Sequence, residues 1–275
     1  MMEKKSALAE RRHILKILGG GILLGNPWLS SAWGNTAISA AATTGTKWAS
    51  GNTSLITVPY PDDSIFDSGN TCNIALTQAT TEGPCYFGVE TGEDISSGLS
   101  GLPMQLCLKL VDSDCQPLEN HWIEVWHCDN RGVYSGNTRE SFDSSRFAGG
   151  FCTSNDSAAQ ASTWYRGILQ TDSKGRVNFK TCFPGWYRGR TIHIHFAVRE
   201  RSGHARVISQ FCFTDALAKE ICTTHEHYSS RGEQDTTLAG GRDGVFPRSG
   251  YESFMLTTAQ NADGTLLAYH TIKIA

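Results

Sequence analysis

No hydrophobic run in the sequence is long enough for a membrane span. The one near-continuous apolar stretch, Ile17 to Leu24, falls well short of the ~20 residues that a bilayer core requires, so no stable membrane insertion is expected. Basic charge is not in excess either: 24 Lys and Arg face 27 Asp and Glu, which argues against a nucleic-acid binder. Proline is scarce, 8 in 275 residues, and neither a collagen repeat nor a long charged heptad occurs, which leaves out the fibrous classes. Nine cysteines contain no C-x-x-C pair, against a zinc ribbon or a thioredoxin-type redox site. What is present is 39% hydrophobic with a net charge of -3, enough apolar material for a buried core in one large domain or two small ones.

The amino terminus reads as a separate object. Residues 3 to 16 carry Lys4, Lys5, Arg11, Arg12 and Lys16 against Glu3 and Glu10, followed by the run ILGGGILLG and then small residues around SAWGNTAISAAA. This order predicts an export signal over residues 1 to 40, removed after Gly34 or a few residues later. The pair Arg11-Arg12 resembles a twin-arginine signal, with an ordinary secretory signal as the alternative; both predict a periplasmic or secreted protein. The segment carries a net charge of +3, so the rest of the chain stands at -6. Nine cysteines suit an oxidising compartment, and their odd number leaves at least one thiol without a partner inside the chain. Sequence does not choose among the pairings.

Beyond the signal the pattern is mostly β. Residues 41 to 100, rich in Thr, Ser, Gly and Asp with little periodicity, read as an extended arm on the main body, and residues 101 to 275 as the main β-sandwich domain. Met104, Leu106, Leu108 and Leu110 alternate with Gln105, Cys107 and Lys109, the period of a half-buried strand. Similar runs lie at His121 to Cys128, Tyr165 to Gln170, Arg176 to Lys180, Thr191 to Arg199, Ala205 to Phe213 and Leu266 to Ile274. Asp172-Ser173-Lys174-Gly175 and Asn261-Ala262-Asp263-Gly264 read as hairpin turns, and only Asp215 to Ile221 reads as a helix. The predicted fold is all-β: a β-sandwich of mostly antiparallel strands with long loops at Ser135 to Thr163 and Thr223 to Gly250.

The chemistry concentrates between Trp126 and Gln210. In Arg190-Thr191-Ile192-His193-Ile194-His195-Phe196 the two histidines are separated by one residue, so a strand projects both from one face while Ile192, Ile194 and Phe196 point to the core. Imidazoles so placed can reach one metal ion. A second such pattern, His225-Glu226-His227, has polar neighbours and no alternation, and reads as a solvated loop. Tyr134 and Tyr187 emerge at strand edges close to these segments. A phenol titrates near ~10, yet a strongly charged bound ion removes its proton, and two phenolates with two imidazoles favour a hard trivalent ion such as Fe(III) over zinc.

Three segments resemble the intradiol ring-cleavage dioxygenases, the family of the catechol and protocatechuate dioxygenases. They are T-E-G-P-C-Y at Thr81 to Tyr86, V-W-H-C-D-N-R-G-V-Y-S-G at Val125 to Gly136, and G-W-Y-R-G-R-T-I-H-I-H-F at Gly185 to Phe196, within a likeness running from about Thr80 to Phe246. The resemblance implies one non-haem Fe(III) per chain, held by Tyr134, Tyr187, His193 and His195. It implies Arg190 as the active-site arginine stabilising developing negative charge, Gln210 as the glutamine beside the substrate, and Tyr86 as a residue lining the substrate pocket. The activity implied is cleavage of a catechol between its two hydroxyl-bearing carbons, with both atoms of O2 entering a cis,cis-muconate-type diacid.

Departures from the family are also legible. No amino-terminal helical dimerisation region is found, so the oligomeric state does not carry over. Only five residues separate Tyr187 from His193, which predicts an open pocket. Cys85 stands where relatives carry an aromatic or aliphatic residue. His127 is expected to be a hydrogen-bonded structural histidine, and Trp122, Trp126 and Trp186 to be packing residues. Arg131 and Arg188 are expected to be solvated loop charges or binders of an anionic substrate substituent. The alternative from a different class is a non-catalytic periplasmic β-sandwich for ligand binding or adhesion; turnover of a catechol separates the two.

Overall fold

The computed structural model describes residues 47–67, 72–89, 92–137, 150–200 and 203–275. The expected export signal over residues 1 to 40 lies outside them. No helix among the described residues is long and apolar enough to cross a membrane.

Among the described residues, eight strands form two four-stranded sheets. β1 (Pro103–Val111), β4 (Arg176–Cys182), β7 (Thr257–Gln260) and β8 (Leu266–Lys273) make the first, in the order β4-β1-β8-β7. β2 (Trp122–Trp126), β3 (Arg166–Gln170), β5 (His193–Arg199) and β6 (Ala205–Cys212) make the second, in the order β3-β2-β5-β6. All neighbours are antiparallel except β1 and β8, which run parallel from Met104 opposite Leu266 to Val111 opposite Lys273. The expected β-sandwich is the observed one. Its interior is the product of period-two alternation: Met104, Leu106, Leu108, Leu110, Phe179 and Leu266 face Ile123, Val125, Ile194, Phe196, Val198 and Phe211 across the layer. Phe196 stacks on Phe211 with centroids 4.1 Å apart.

One of the two turns behaves differently from expectation. Asn261–Gly264 closes a true hairpin between β7 and β8, with Asn261 N–H donating to Thr265 O at 2.8 Å. Asp172–Gly175 also reverses the chain, its Asp172 carboxylate accepting from Lys174 N–H and Arg176 N–H, but β3 and β4 lie in different sheets. Local turn chemistry is the same in both; what differs is that Val177 and Phe179 pair with β1, so the second turn is a crossing between layers.

A short helix that the sequence pattern does not predict lies at Ser157–Gln160. The expected helix runs from Asp215 to Thr224, three residues beyond its expected end, with the hydroxyls of Thr223 and Thr224 donating to carbonyls of the preceding turn. The Thr214 side chain caps its start by accepting from Leu217 N–H. This corrects the reading of His225-Glu226-His227 as a solvated loop. His225 is buried at the helix end, its N–H bonded to Ile221 O and its Nε2 lying 3.0 Å from Ala49 O; only Glu226 of the three is exposed. The polar neighbours Thr223, Thr224, Ser229 and Ser230 are exposed as expected, so the correction concerns His225 alone.

Within residues 47 to 100 the described backbone runs along the body. Thr77 N–H donates to Lys273 O, Thr80 N–H to Ile208 O, and Gly51 pairs with Gly101. Two disulfides join distant segments, Cys72 to Cys115 and Cys85 to Cys152, and the other five cysteines are buried free thiols. Cys85 thereby acquires the physical account that its place in the sequence lacks.

Candidate active site

The interior of the sandwich takes alternate residues of each strand, which leaves the other set on the outer face of the second sheet. The register there aligns Arg166 of β3 with Trp126 of β2, Trp126 with His195 of β5, and His195 with Gln210 of β6, one row across all four strands. His193 lies two residues along, on the same face. Loops from three directions cover this row.

Two of these loops carry the tyrosines. After β2 the chain turns at Asp129–Val133, where the Asp129 carboxylate accepts from Arg131 N–H and Val133 N–H, each at 2.9 Å, and Gly132 takes φ +80°. The second loop crosses the first at Gly185, whose N–H donates to Asp129 O at 2.9 Å. A Cβ on Gly185 would lie 2.3 Å from Asn130 O, and one on Gly132 2.2 Å from Trp186 O, so both glycines are required by backbone approach.

The crossing delivers both phenols to one imidazole. Tyr187 Oη lies 2.9 Å and Tyr134 Oη 3.4 Å from His193 Nε2, and the His193 and His195 rings are 4.9 Å apart. His193 Nδ1 donates to Thr191 O at 2.6 Å, which places the proton on Nδ1 and leaves the Nε2 lone pair facing the phenols. His195 is buried with its Nδ1 lacking a hydrogen-bond partner, and Gly83, φ +77°, packs over it so closely that a Cβ would meet His195 Cε1 at 3.0 Å. Burial lowers the His193 pKa to about 3 and that of His195 well below its ordinary value. Burial likewise raises Tyr187 to about 12 and Tyr134 well above the usual phenol range. The cluster is thus four neutral donors, and a cation seated among them is what would draw protons from the phenols.

Arg190 flanks the cluster. Its Nη2 donates to Gln210 Oε1 at 2.6 Å, and Gln210 Nε2 donates to Thr81 O at 3.0 Å. Its Nε lies 3.0 Å from Asp243 Oδ2, a carboxylate that also accepts from Thr191, Val245 and Phe246 N–H. Burial would raise the Asp243 pKa, but Arg190 and these N–H groups outweigh it and hold the carboxyl below its ordinary range.

All six residues expected in the centre, Tyr134, Tyr187, His193, His195, Arg190 and Gln210, are brought together. Tyr86 stands farther out, behind Trp126. Its Oη donates to Glu124 Oε2 at 3.1 Å and accepts from Arg199 Nη2 at 3.0 Å, while its ring meets Trp126 at 4.9 Å. His127 bonds Cys128 O and Thr181 Oγ1 and stacks on Tyr165. Arg131 pairs with Asp129 and Asp156, and Arg188 is exposed. Sequence reasoning missed Asp243 and Arg166. The first sits in an aperiodic Gly- and Arg-containing loop 53 residues from its partner; the alternation of β3 was the signal for the second, since it puts Arg166 on the face opposite the core.

Comparison with known proteins bears on the family and the fold. Residues 89–231, just over half of the chain, match the family model described as dioxygenase. Hydroxyquinol 1,2-dioxygenase of Corynebacterium glutamicum is 37% identical over 62 residues, which is 21% of this chain and 21% of that protein, so the chain matches about a fifth of that relative's length. An intradiol ring-cleavage dioxygenase from Tetranychus urticae superposes with a TM-score of 0.60 at 24% identity, over 73% of this chain and 94% of that one. The dioxygenase domain of a carbohydrate-binding fusion protein from Streptomyces sp. SirexAA-E gives a TM-score of 0.50 at 16% identity, over 73% and 98%. These two likenesses speak to the fold. The family match, which spans Tyr134, Tyr187, His193 and His195, shows that the chain belongs to this dioxygenase family.

Proposed function

We propose that the protein binds one non-haem Fe(III) through Tyr134, Tyr187, His193 and His195 and cleaves a catechol between its two hydroxyl-bearing carbons. Both atoms of O2 enter the product, a cis,cis-muconate-type diacid. The observation that carries this reading is the convergence of two phenol oxygens on His193 Nε2, beside a second buried imidazole whose Nδ1 has no partner. Phenols become hard anionic ligands and neutral imidazoles suit iron, so the donor set fits a ferric ion. A ferric ion held there would supply Lewis acidity toward the bound catechol.

The protein's own groups do the rest. The Oη of one of the two, Tyr134 or Tyr187, helps to take up the protons of the incoming diol. Arg190, fixed by Asp243 and Gln210, faces the same space with a guanidinium that stabilises negative charge developing on the ring. Trp126 and Gly83 close His195 off from water. The short Tyr187–His193 interval and the exposed Arg188 favour an open pocket that takes substituted catechols, including anionic ones. A location outside the cytoplasm is favoured by the basic Arg11-Arg12 segment and by the two disulfides.

Ferric tyrosinate absorbs visible light, so the purified iron-loaded protein is expected to be burgundy to red. Tyr134→Phe and Tyr187→Phe should each bleach or shift the colour, and a panel of catechols including hydroxyquinol should yield ring-opened diacids. A colourless protein with full iron occupancy would overturn the ligand set, and failure to turn over any catechol would overturn the activity.

A further inference from the structure

Arg166 is an enclosed cation with no anionic partner among the described residues. Arg190 rests on Asp243 and Arg199 on Glu124, whereas Arg166, 5% exposed, makes no ion pair among the described residues. Its Nη2 donates to Cys85 O and to Ser135 O, each at 2.7 Å, and its Nε donates to Ser135 Oγ at 2.9 Å. Its Nη1 has no partner. The guanidinium lies 3.9 Å above the Phe87 ring and 5.9 Å from the Tyr134 ring. The preceding residue, Tyr165, holds φ +55°, a costly conformation for a bulky side chain that persists only where the surroundings impose it.

These contacts close a circuit. Arg166 joins Cys85 to Ser135; Cys85 is bonded to Cys152; Cys152 O accepts from Tyr134 N–H at 2.9 Å; and Tyr134 is the neighbour of Ser135. Burying a cation without a counter-ion costs several kcal/mol, and an apolar residue would fill the same space without that cost. A planar fork that ties two carbonyls of separate segments is what such a residue would not supply. Tyr187, by contrast, stands on the turn at Arg188 and Gly189 and is not enclosed in any such circuit among the described residues.

We propose that Arg166 and the Cys85–Cys152 disulfide form one clamp that fixes Tyr134 as a metal-holding arm, which makes Arg166 a positioning residue of the site. This inference rests on the reading of Tyr134 as an iron ligand. Severing the clamp at either point frees the Tyr134 segment, and the site then releases its ion faster.

The test uses the full chain loaded with Fe(III) and follows loss of the visible band to a strong chelator, with far-ultraviolet circular dichroism confirming that each variant is folded. The variants are Arg166→Gln, the pair Cys85→Ser with Cys152→Ser, all three together, and the remote pair Cys72→Ser with Cys115→Ser. Arg166→Gln and the Cys85/Cys152 pair should each speed release ~10- to 100-fold, the usual scale for a residue that supports a metal ligand. The triple variant should be no faster than the faster of those two, and the remote pair should match wild type. Should Arg166→Gln fail to fold, Arg166→Lys keeps charge and bulk but loses the fork, and should still speed release. Wild-type rates in the clamp variants, effects that multiply in the triple variant, or equal acceleration by the remote pair would each overturn the clamp. If the wild-type chain takes up no iron, the ligand reading fails with it; if it holds iron and the clamp variants hold it equally well, the clamp alone fails.

Discussion

Trp126 lies flat against His195, with ring centroids 5.0 Å apart and 14° between the planes. The two are cross-strand neighbours on the outer face of the second sheet, and the Tyr86 ring meets Trp126 at 62°. The indole thus fixes the plane of one proposed ligand. Trp126→Ala should cost about 3–5 kcal/mol, the usual range for emptying so large a buried site. It should also weaken iron binding, because His195 Nδ1 has no hydrogen bond to hold the ring in its place. Trp126→Phe keeps the stack and should lose less than half as much stability. Urea unfolding of the metal-free protein and iron titration read the two effects separately.

Asp243 determines where Arg190 points. Asp243→Asn keeps the shape and removes the charge, and should lower kcat on catechol about tenfold, equivalent to about 1.4 kcal/mol in the barrier, with a smaller change in KM. Asp243→Ala should lose more, since Arg190 Nε and the N–H groups of Thr191, Val245 and Phe246 are then left without their acceptor. Steady-state kinetics on one catechol settle it, and equal losses in both variants would count against the positioning role.

Acid should unfold the metal-free protein through its buried neutral histidines. Burial lowers the pKa of His127 to about 4 and of His270 to about 4, against 6.5 for an ordinary histidine. Between these values the unfolded chain binds protons that the folded chain excludes. Their contribution is therefore complete above pH 6.5, is lost as pH falls toward 4, and changes no further below that. Each histidine costs ~1.4 kcal/mol per pH unit inside the window. His127→Gln should make the fall shallower by about one proton, measured as the urea midpoint from about pH 4 to about pH 7.

Thiol chemistry should count the bridges. Four of the nine cysteines are paired and five are buried, so a thiol reagent should find none in the native oxidised protein and five after unfolding without reductant. Peptide mapping should recover Cys72 with Cys115 and Cys85 with Cys152.

What could be read from sequence follows from range. Period-two alternation is a local property, so β5 and the shared face of His193 and His195 were legible residue by residue, as was the burial of Ile194 and Phe196. Tyr134 and Tyr187 were legible as candidate ligands from the strand edges where they stand and from the family resemblance, but nothing local says that their loops cross at Gly185. Asp172–Gly175 and Asn261–Gly264 carry the same turn chemistry, yet one closes a hairpin and the other changes sheets. A turn sets a reversal of direction, whereas the choice of partner strand is made by burial farther along. The contacts Arg190–Asp243 and Arg166–Cys85 span 53 and 81 residues and leave no periodic trace.

The crossing of the two tyrosine loops has a consequence for altering substrate range. Gly185 and Gly132 bring those loops together at distances that exclude a Cβ, so the main-chain crossing, together with the Arg166 clamp behind Tyr134 and not the residues of the rim, holds the spacing of the two phenols. Remodelling of the rim should therefore leave that spacing intact. Arg188 is the place to begin: it is exposed, next to Gly189 where an added Cβ would meet nothing within 4 Å, and only a residue from Tyr187. Variation there would change what enters the pocket while the crossing keeps the donor geometry constant, so acceptance of bulky or charged catechols and retention of iron become separately adjustable properties.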